Sequence, residues 1–176
     1  MSNETEMKDN VREDVYDKEL FDRLLDQNDI DEFRKEFLEL HNYEQSEYFE
    51  DTDDENRQKI FEFLSPKEVA NFFDQLDFDD DDYESLFDNM DATYASHVLE
   101  EMSYDNAVDI LNELSKPKVA SLLTLMNKDK ANEIKALLHY EEDTAGGIMT
   151  TEFISLKSTT PVKEALIHVK EQAPDA

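Results

Sequence analysis

The chain of 176 residues contains no cysteine and only two glycines. Without cysteine it can form neither a disulfide framework nor a thiolate metal site, which suits a cytosolic protein. The two glycines are adjacent, at Gly146 and Gly147, so glycine interrupts the chain at one place. No apolar run approaches the ~20 residues that a membrane-spanning helix needs. The first residues are polar and acidic, so we do not expect them to be a secretory signal.

Basic residues are also scarce. The chain has 17 Lys and Arg against 46 Asp and Glu, which gives a formal net charge of −29. Nucleic acids and anionic membrane surfaces are bound through lysine and arginine, so this balance argues against both as partners. It favours cations, because repulsion among the carboxylates would loosen the fold and bound divalent ions would relieve that repulsion.

Residues 53–138 consist of seven twelve-residue repeats, interrupted only by Asp77 and Phe78. Positions 5, 8, 9 and 12 are apolar, except for Arg57 and Lys135, and this spacing is typical of one face of an α-helix. The first position always has a short side chain whose oxygen can accept hydrogen bonds from the first turn of a helix. These residues are Asp53, Ser65, Asp79, Asp91, Ser103, Ser115 and Asn127.

Each repeat is therefore predicted to be one short capped helix with one apolar face. Isolated helices below ~12–15 residues are marginal in water, so each must bury its apolar face on its neighbours. The predicted fold class is all-α, a superhelical solenoid of short stacked helices. A generic helical bundle is the alternative, and seven caps in register disfavour it. Two degenerate repeats extend the solenoid to residues 29–138, and residues 1–28 are predicted to be a polar tail and a first helix over about 11–26.

The pattern changes after Leu138. Residues 139–149 break the period and contain both glycines. Residues 152–157 have the alternation of a strand, and Pro161 marks the start of a second helix that runs to about Gln172. A lone strand has no partner for its backbone groups. Residues 150–176 are therefore predicted to be the truncated β-α start of another domain.

Positions 3 and 7 of each repeat lie opposite its apolar face and one turn apart. Two repeats have acids at both positions, Asp105 with Asp109 and Asp129 with Glu133. Such a pair can hold a hard cation such as Mg²⁺ through oxygen ligands, with water completing the coordination. The alternative is an ordinary solvated face of charged side chains.

No catalytic arrangement is evident. The four histidines have no ligand spacing, and the chain lacks zinc-protease, phosphate-loop and nucleophile-elbow motifs. The serines of the repeats are explained as helix caps. The sequence therefore predicts that the protein is not an enzyme.

The junction carries a specific resemblance. YEEDTAGGIMT at 140–150, FISL at 153–156 and TPVKEAL at 160–166 are similar to the junction of the MgtE family of magnesium transporters. In that family a superhelical N domain of short helices precedes a tandem CBS domain. The resemblance implies that residues 29–138 are the N domain, 139–149 the junction and 150–176 the incomplete start of a CBS domain.

What the resemblance implies is the cytosolic Mg²⁺-sensing region of a homodimeric magnesium channel, at the cytoplasmic face of the cell membrane. Its partners would be Mg²⁺ and the rest of its own chain, namely the CBS pair and the transmembrane helices. In the family, Mg²⁺ bound at acidic interfaces holds the cytosolic domains together and favours pore closure. That mechanism requires tighter ion binding in the closed arrangement than in the open one.

The resemblance also implies metal ligands. Asp105 and Asp109 match two family aspartates, in agreement with the spacing argument, and Gly147 matches a glycine whose carbonyl joins the site. Asn71 stands where the family has a third acid, which would weaken one shared ion. The competing function is a helical-solenoid protein-interaction module without ion sensing, which would bind a basic partner whether or not Mg²⁺ is present.

Overall fold

The computed structural model describes residues 16–76, 80–140, 144 and 154–172. Within these ranges the regular structure is α-helical, and no helix in them is long and apolar enough to cross a membrane. The helices are α1 (Lys18–Asp26), α2 (Ile30–Phe37), α3 (Asn42–Glu50), α4 (Asp54–Phe63), α5 (Pro66–Phe73), α6 (Asp80–Asn89), α7 (Ala92–Glu101), α8 (Tyr104–Glu113), α9 (Lys116–Leu125), α10 (Lys128–Leu137) and α11 (Val162–Gln172).

The twelve-residue period is confirmed. Helices α2 to α10 each begin at the residue that follows the first position of a repeat, and the two degenerate repeats that start at Asp29 and His41 obey the same rule. One oxygen-bearing side chain per repeat starts a helix in most cases, because it accepts a hydrogen bond from the otherwise unpaired N–H groups of the first turn. Caps of this kind are formed by Asp29, Asp53, Ser65, Asp91 and Asn127.

Two of the predicted caps are wrong. Ser103 and Ser115 precede α8 and α9, but neither side chain accepts a hydrogen bond from its own helix. The Ser103 hydroxyl instead donates to the Asp74 carboxylate, 3.3 Å away, and the Ser115 backbone N–H donates to Glu84, 2.9 Å away. Both residues therefore contact an earlier part of the chain and do not cap their own helices. Asp79, the predicted cap of α6, lies outside the described residues.

The apolar face of each repeat forms one continuous core. Position 8 is buried in all seven repeats, and each such side chain contributes ~1.5–3 kcal/mol of burial free energy. These residues are Ile60, Phe72, Leu86, Val98, Ile110, Leu122 and Ile134. The amino-terminal part of the core is aromatic: the Phe37 ring lies 5.0 Å from that of Phe33 and 5.8 Å from that of Phe72.

The helices stack in two rows. At the amino-terminal end α1 packs on α2 and α4, and beyond it the closest packing joins alternate helices, α3 with α5, α5 with α7 and α7 with α9 in one row, and α6 with α8 and α8 with α10 in the other. From α6 to α10, consecutive helices are joined by connections of only two residues, and a helix meets its main partner two repeats further along. This arrangement is the solenoid that the period predicted.

The two ends of the chain differ from the prediction. Helix α1 begins at Lys18 rather than near residue 11, because Asp17 caps it by accepting from the Leu20 N–H. It ends where Asn28 takes a left-handed conformation, with φ of 56°. At the other end, α11 confirms the predicted second helix. The predicted strand at 152–157 is not confirmed, since residues 154–157 have no regular structure and the rest of it lies outside the described residues.

Candidate functional site

Helix α8 carries both predicted aspartates. Its apolar residues face the core, with Ala107 and Leu111 buried, so its acidic side chains lie on the remaining face. Asp105 lies in the first turn and is half-buried, and Asp109 is one turn later and exposed. The structure therefore places the two carboxylates on one face of one helix, as their spacing predicts. An acid in the first turn also stabilises the helix through its dipole, so Asp105 has a structural role as well.

Asp74 connects α5 to the start of α8. It follows the last residue of α5, and its Oδ1 atom accepts hydrogen bonds from the Ser103 hydroxyl at 3.3 Å and from the Asn106 side-chain amide at 3.1 Å. Because both donors are in the first turn of α8 or directly before it, this carboxylate fixes the helix end from which Asp105 projects. Asp74 is a site residue that the sequence analysis missed.

A cavity of about 250 Å³ lies between α5, α6 and α8. Three carboxylates line it, those of Asp74, Asp109 and Glu113, together with the aromatic ring of Tyr83 and the amide of Asn106. Acids from two helices thus converge on one space. The position rule could not find Asp74 and Glu113, because they are at positions 10 and 11 of their repeats rather than at 3 and 7.

The carboxyl group of Asp74 has a raised pKa. Burial raises the pKa of Asp74, and the nearby charge of Asp105 raises it further, while hydrogen bonds from Asn106 and Ser103 act in the opposite direction. A carboxylate whose pKa rises beside another carboxylate reports an environment that disfavours additional negative charge. Of the two causes, only the charge of Asp105 would favour a nearby cation, because burial disfavours a charge of either sign.

Asp105 and Asp109 have the oxygen ligands through which a partly hydrated Mg²⁺ would be held. Among the residues that the structure describes, no group of three or more Asp, Glu or His is arranged to hold a metal ion. Mg²⁺ prefers oxygen ligands and commonly keeps several water molecules while one or two carboxylates bind it. Asp105 and Asp109 supply two such carboxylates on an accessible helix face.

The other sequence candidates lie elsewhere. Gly147 is outside the described residues, so its predicted role stays a prediction. Asn71 is exposed on α5, three residues before Asp74. Asp129 and Glu133 are both exposed on α10, but Lys128 and Lys130 adjoin Asp129 in the sequence, so this pair is less negative than the one on α8.

Residues 40–143 match the family model of the MgtE intracellular N domain. The chain belongs to the MgtE family. It is 45% identical over 144 residues to the magnesium transporter MgtE of Enterococcus faecalis, an alignment that covers 82% of this chain and 32% of the relative. It is also 46% identical over 44 residues to MgtE of Thermus thermophilus, which covers 25% of this chain and 10% of that protein.

Two solved structures share the fold. The crystal structure of the soluble part of a magnesium transporter is 42% identical, with a TM-score of 0.84, and the match covers 90% of this chain and 62% of that one. The cytosolic domain of the Mg²⁺ channel MgtE in complex with ATP is 24% identical, with a TM-score of 0.79, and covers 90% and 64%. The MgtE chain described here spans about a third of the length of its Enterococcus relative.

Proposed function

We propose that this chain is the cytosolic Mg²⁺-sensing regulatory region of an MgtE magnesium channel, without catalytic activity of its own. The observation that carries the proposal is the placement of Asp105 and Asp109 on one face of α8, beside the acidic cavity that Asp109 lines with Asp74 and Glu113. The relatives, named as magnesium transporters, indicate which hard cation is relevant.

The physical basis is electrostatic repulsion. A chain with a net charge of −29 resists the approach of any other acidic surface, and screening by monovalent salt weakens this only beyond a distance of ~8 Å. Binding of Mg²⁺ by the carboxylates of α8 lowers the local negative charge. The face of α8 can then lie against the next acidic domain of the same channel, for which we propose a CBS pair that begins at residues 150–176.

Regulation follows if the two arrangements of the channel bind the ion differently. An ion shifts a conformational equilibrium only by the difference between its affinities for the two states. We propose that the closed-pore arrangement of the homodimer completes the coordination begun by Asp105 and Asp109, with Gly147 as a further ligand. The open arrangement leaves the ion with the helix carboxylates and water alone. High cytosolic Mg²⁺ would then favour closure.

The test is titration calorimetry of the full-length channel with MgCl₂, together with limited proteolysis at each concentration. We compare the wild type with Asp105→Asn/Asp109→Asn, which keeps the size of both side chains and removes both charges. We expect the double variant to lose the heat of at least one site and to need at least ~10-fold more Mg²⁺ for protection from protease.

The matched control is Asp129→Asn/Glu133→Gln. This pair has the same spacing and is exposed, so the variant removes the same charge from α10, which packs against α8. We expect its heats and protection to equal those of the wild type. If the two double variants behave alike, whether both are altered or both unaltered, the α8 aspartates are not specific ligands.

A further inference from the structure

A groove at the carboxyl-terminal end of the solenoid differs from the acidic cavity. It encloses about 530 Å³ between α8, α9 and α10. Its floor is apolar, formed chiefly by Leu111, Leu114 and Leu123, all of which belong to the core. Among the described residues, its lining shares no member with that of the cavity beside Asp109. The groove is therefore a separate surface, and the proposed ion site does not explain it.

The segment that forms α9 and most of α10 is basic in a strongly acidic chain. Residues 116–135 contain five lysines and two acids, whereas the whole chain has 17 basic and 46 acidic residues. Lys118 contacts Asp88 at 2.6 Å and Glu84 at 3.2 Å, so its charge is already matched. Lys130 lies 4.7 Å from the centre of the Tyr104 ring.

Two lysines line the groove itself. Lys116 of α9 and Lys135 of α10 are both exposed, and neither makes an ion pair with another residue in the described ranges of the chain. The small exposed side chain of Ala120 lies between apolar floor residues along α9 and leaves room above the floor. The groove therefore combines an apolar floor, an open centre and two lysines at its rim that form no ion pair in the described residues.

We propose that the groove binds an amphipathic helix of a partner protein that carries acidic residues beside its apolar face. Leucine-like side chains would pack on Leu114 and Leu123, and carboxylates would pair with Lys116 and Lys135. Helix-in-groove recognition uses apolar anchors at i, i+3, i+4 and i+7. Charge complementarity selects acidic flanks, because a basic helix would meet two uncompensated lysines.

The charge also argues against a second copy of the same chain as the occupant. Two molecules with net charges of −29 repel each other over their whole surfaces, so docking one copy on another would oppose that field. A single helix with a few acidic residues meets mainly α9 and α10, where lysines outnumber acids. This inference concerns a different surface from that of the proposed function and does not depend on Mg²⁺ sensing.

The test uses a synthetic fluorescein-labelled peptide of about 15 residues, long enough to form a helix, with leucines at i, i+3, i+4 and i+7 and glutamates between them. Fluorescence anisotropy measures its binding to the full 176-residue chain. We expect binding that weakens as salt is raised. A peptide with the same composition in scrambled order, and one with lysine in place of glutamate, should bind at least ~10-fold more weakly.

Two variants test the location. Lys116→Glu/Lys135→Glu reverses the rim charge, and Ala120→Glu places a carboxylate over the apolar floor. We expect each to weaken peptide binding by about tenfold, equivalent to the loss of two partly exposed ion pairs or of one apolar contact. The matched controls are Lys128→Glu and Ser121→Glu, exposed residues of α10 and α9 that do not line the groove.

Because all five substituted side chains are exposed, the variants should keep the circular dichroism of the wild type. The proposal is overturned if the wild type does not bind the acidic peptide, or if the scrambled peptide binds equally well. It is also overturned if either groove variant binds as tightly as its control. Each of these outcomes can be read from the wild type or from a matched pair.

Discussion

The ion pair between α2 and α5 makes a quantitative prediction about the stability of the solenoid. Arg34 contacts Glu68 through two nitrogen–oxygen pairs, at 2.9 Å and 2.5 Å, and also donates to the Phe63 carbonyl oxygen at 2.7 Å. The Glu68 carboxylate additionally accepts from the Ser65 N–H at 2.8 Å, in a capping box at the start of α5. One carboxylate thus joins two helices and starts one of them.

The perturbation is Glu68→Gln, which removes the charge but keeps a residue able to complete a capping box. Hydrogen bonds to charged groups contribute ~1.5–3 kcal/mol when buried, and fully exposed ion pairs contribute ~0–1 kcal/mol. The two side chains are 35% and 22% exposed, which is between these limits. We therefore expect the free energy of unfolding to fall by about 1–2 kcal/mol near neutral pH.

The pH dependence gives an independent check. Burial alone would raise the pKa of Glu68, but hydrogen bonds from Arg34 and Ser65 outweigh it and lower that pKa from 4.5 to about 2. A carboxylate with a depressed folded-state pKa contributes stability that is present above its unfolded pKa and lost as pH falls through the folded value. The difference between wild type and variant should therefore be constant above 4.5 and shrink between 4.5 and about 2.

The assay is urea unfolding followed by circular dichroism, at neutral pH and at several acidic values. The matched control is Glu62→Gln, which removes a carboxylate from an exposed position of α4 and should change the free energy of unfolding by less than ~0.5 kcal/mol. The reasoning is refuted if Glu68→Gln is as stable as this control at neutral pH. It is equally refuted if the loss persists unchanged below the stated pH range.

Three further substitutions test other parts of the fold. Asp74→Asn should raise the free energy of unfolding at neutral pH by up to ~1 kcal/mol. The reason is that a carboxylate whose pKa is raised by burial and by Asp105 destabilises the folded state once the pH exceeds that pKa. Urea unfolding at two pH values would show that this gain vanishes in acid. Ile134→Ala should cost ~2–5 kcal/mol, since the side chain is fully buried, and thermal unfolding would measure it against Ile134→Val at ~0.5–1.5 kcal/mol. Lys118→Met should lower the free energy of unfolding by ~1–2 kcal/mol in a urea titration, because this lysine, 16% exposed, pairs with two carboxylates of α6. If the variant loses no stability, the apolar part of the side chain accounts for the contribution of Lys118 to stability.

Much of the fold could be predicted because one rule repeats. The apolar side chains of the repeats recur at fixed positions, so side chains such as Ile60 and Val98 were assigned to the core from spacing alone. Helix starts were predictable for the same reason. The rule failed at Ser103 and Ser115, whose partners lie about thirty residues earlier in the chain, at Asp74 and Glu84. A local pattern contains no information about contacts with a helix that is distant in the sequence.

The candidate site was only partly predictable. The spacing of four residues places two acids on one helix face, so the sequence alone predicts Asp105 and Asp109 as candidate metal ligands. Asp74 could not, because its approach to Ser103 and Asn106 depends on how α5 packs in relation to α8. The lysine-rimmed groove was missed for a similar reason, since Lys116 and Lys135 line one surface only because of how α8, α9 and α10 are arranged. The net charge of the whole chain indicates neither the hydrogen bonds of Asp74 nor the lysine-rimmed groove.

Because alternate helices pack together, the row to which a helix belongs depends on whether an odd or an even number of repeats precedes it. Deleting one twelve-residue unit would transfer every later helix to the opposite row, so α8 would take a place among partners whose surfaces were shaped for its neighbours. Deleting two repeats would shorten the solenoid but leave each later helix in its own row. We therefore expect this domain to tolerate the deletion or insertion of two repeats better than that of one repeat.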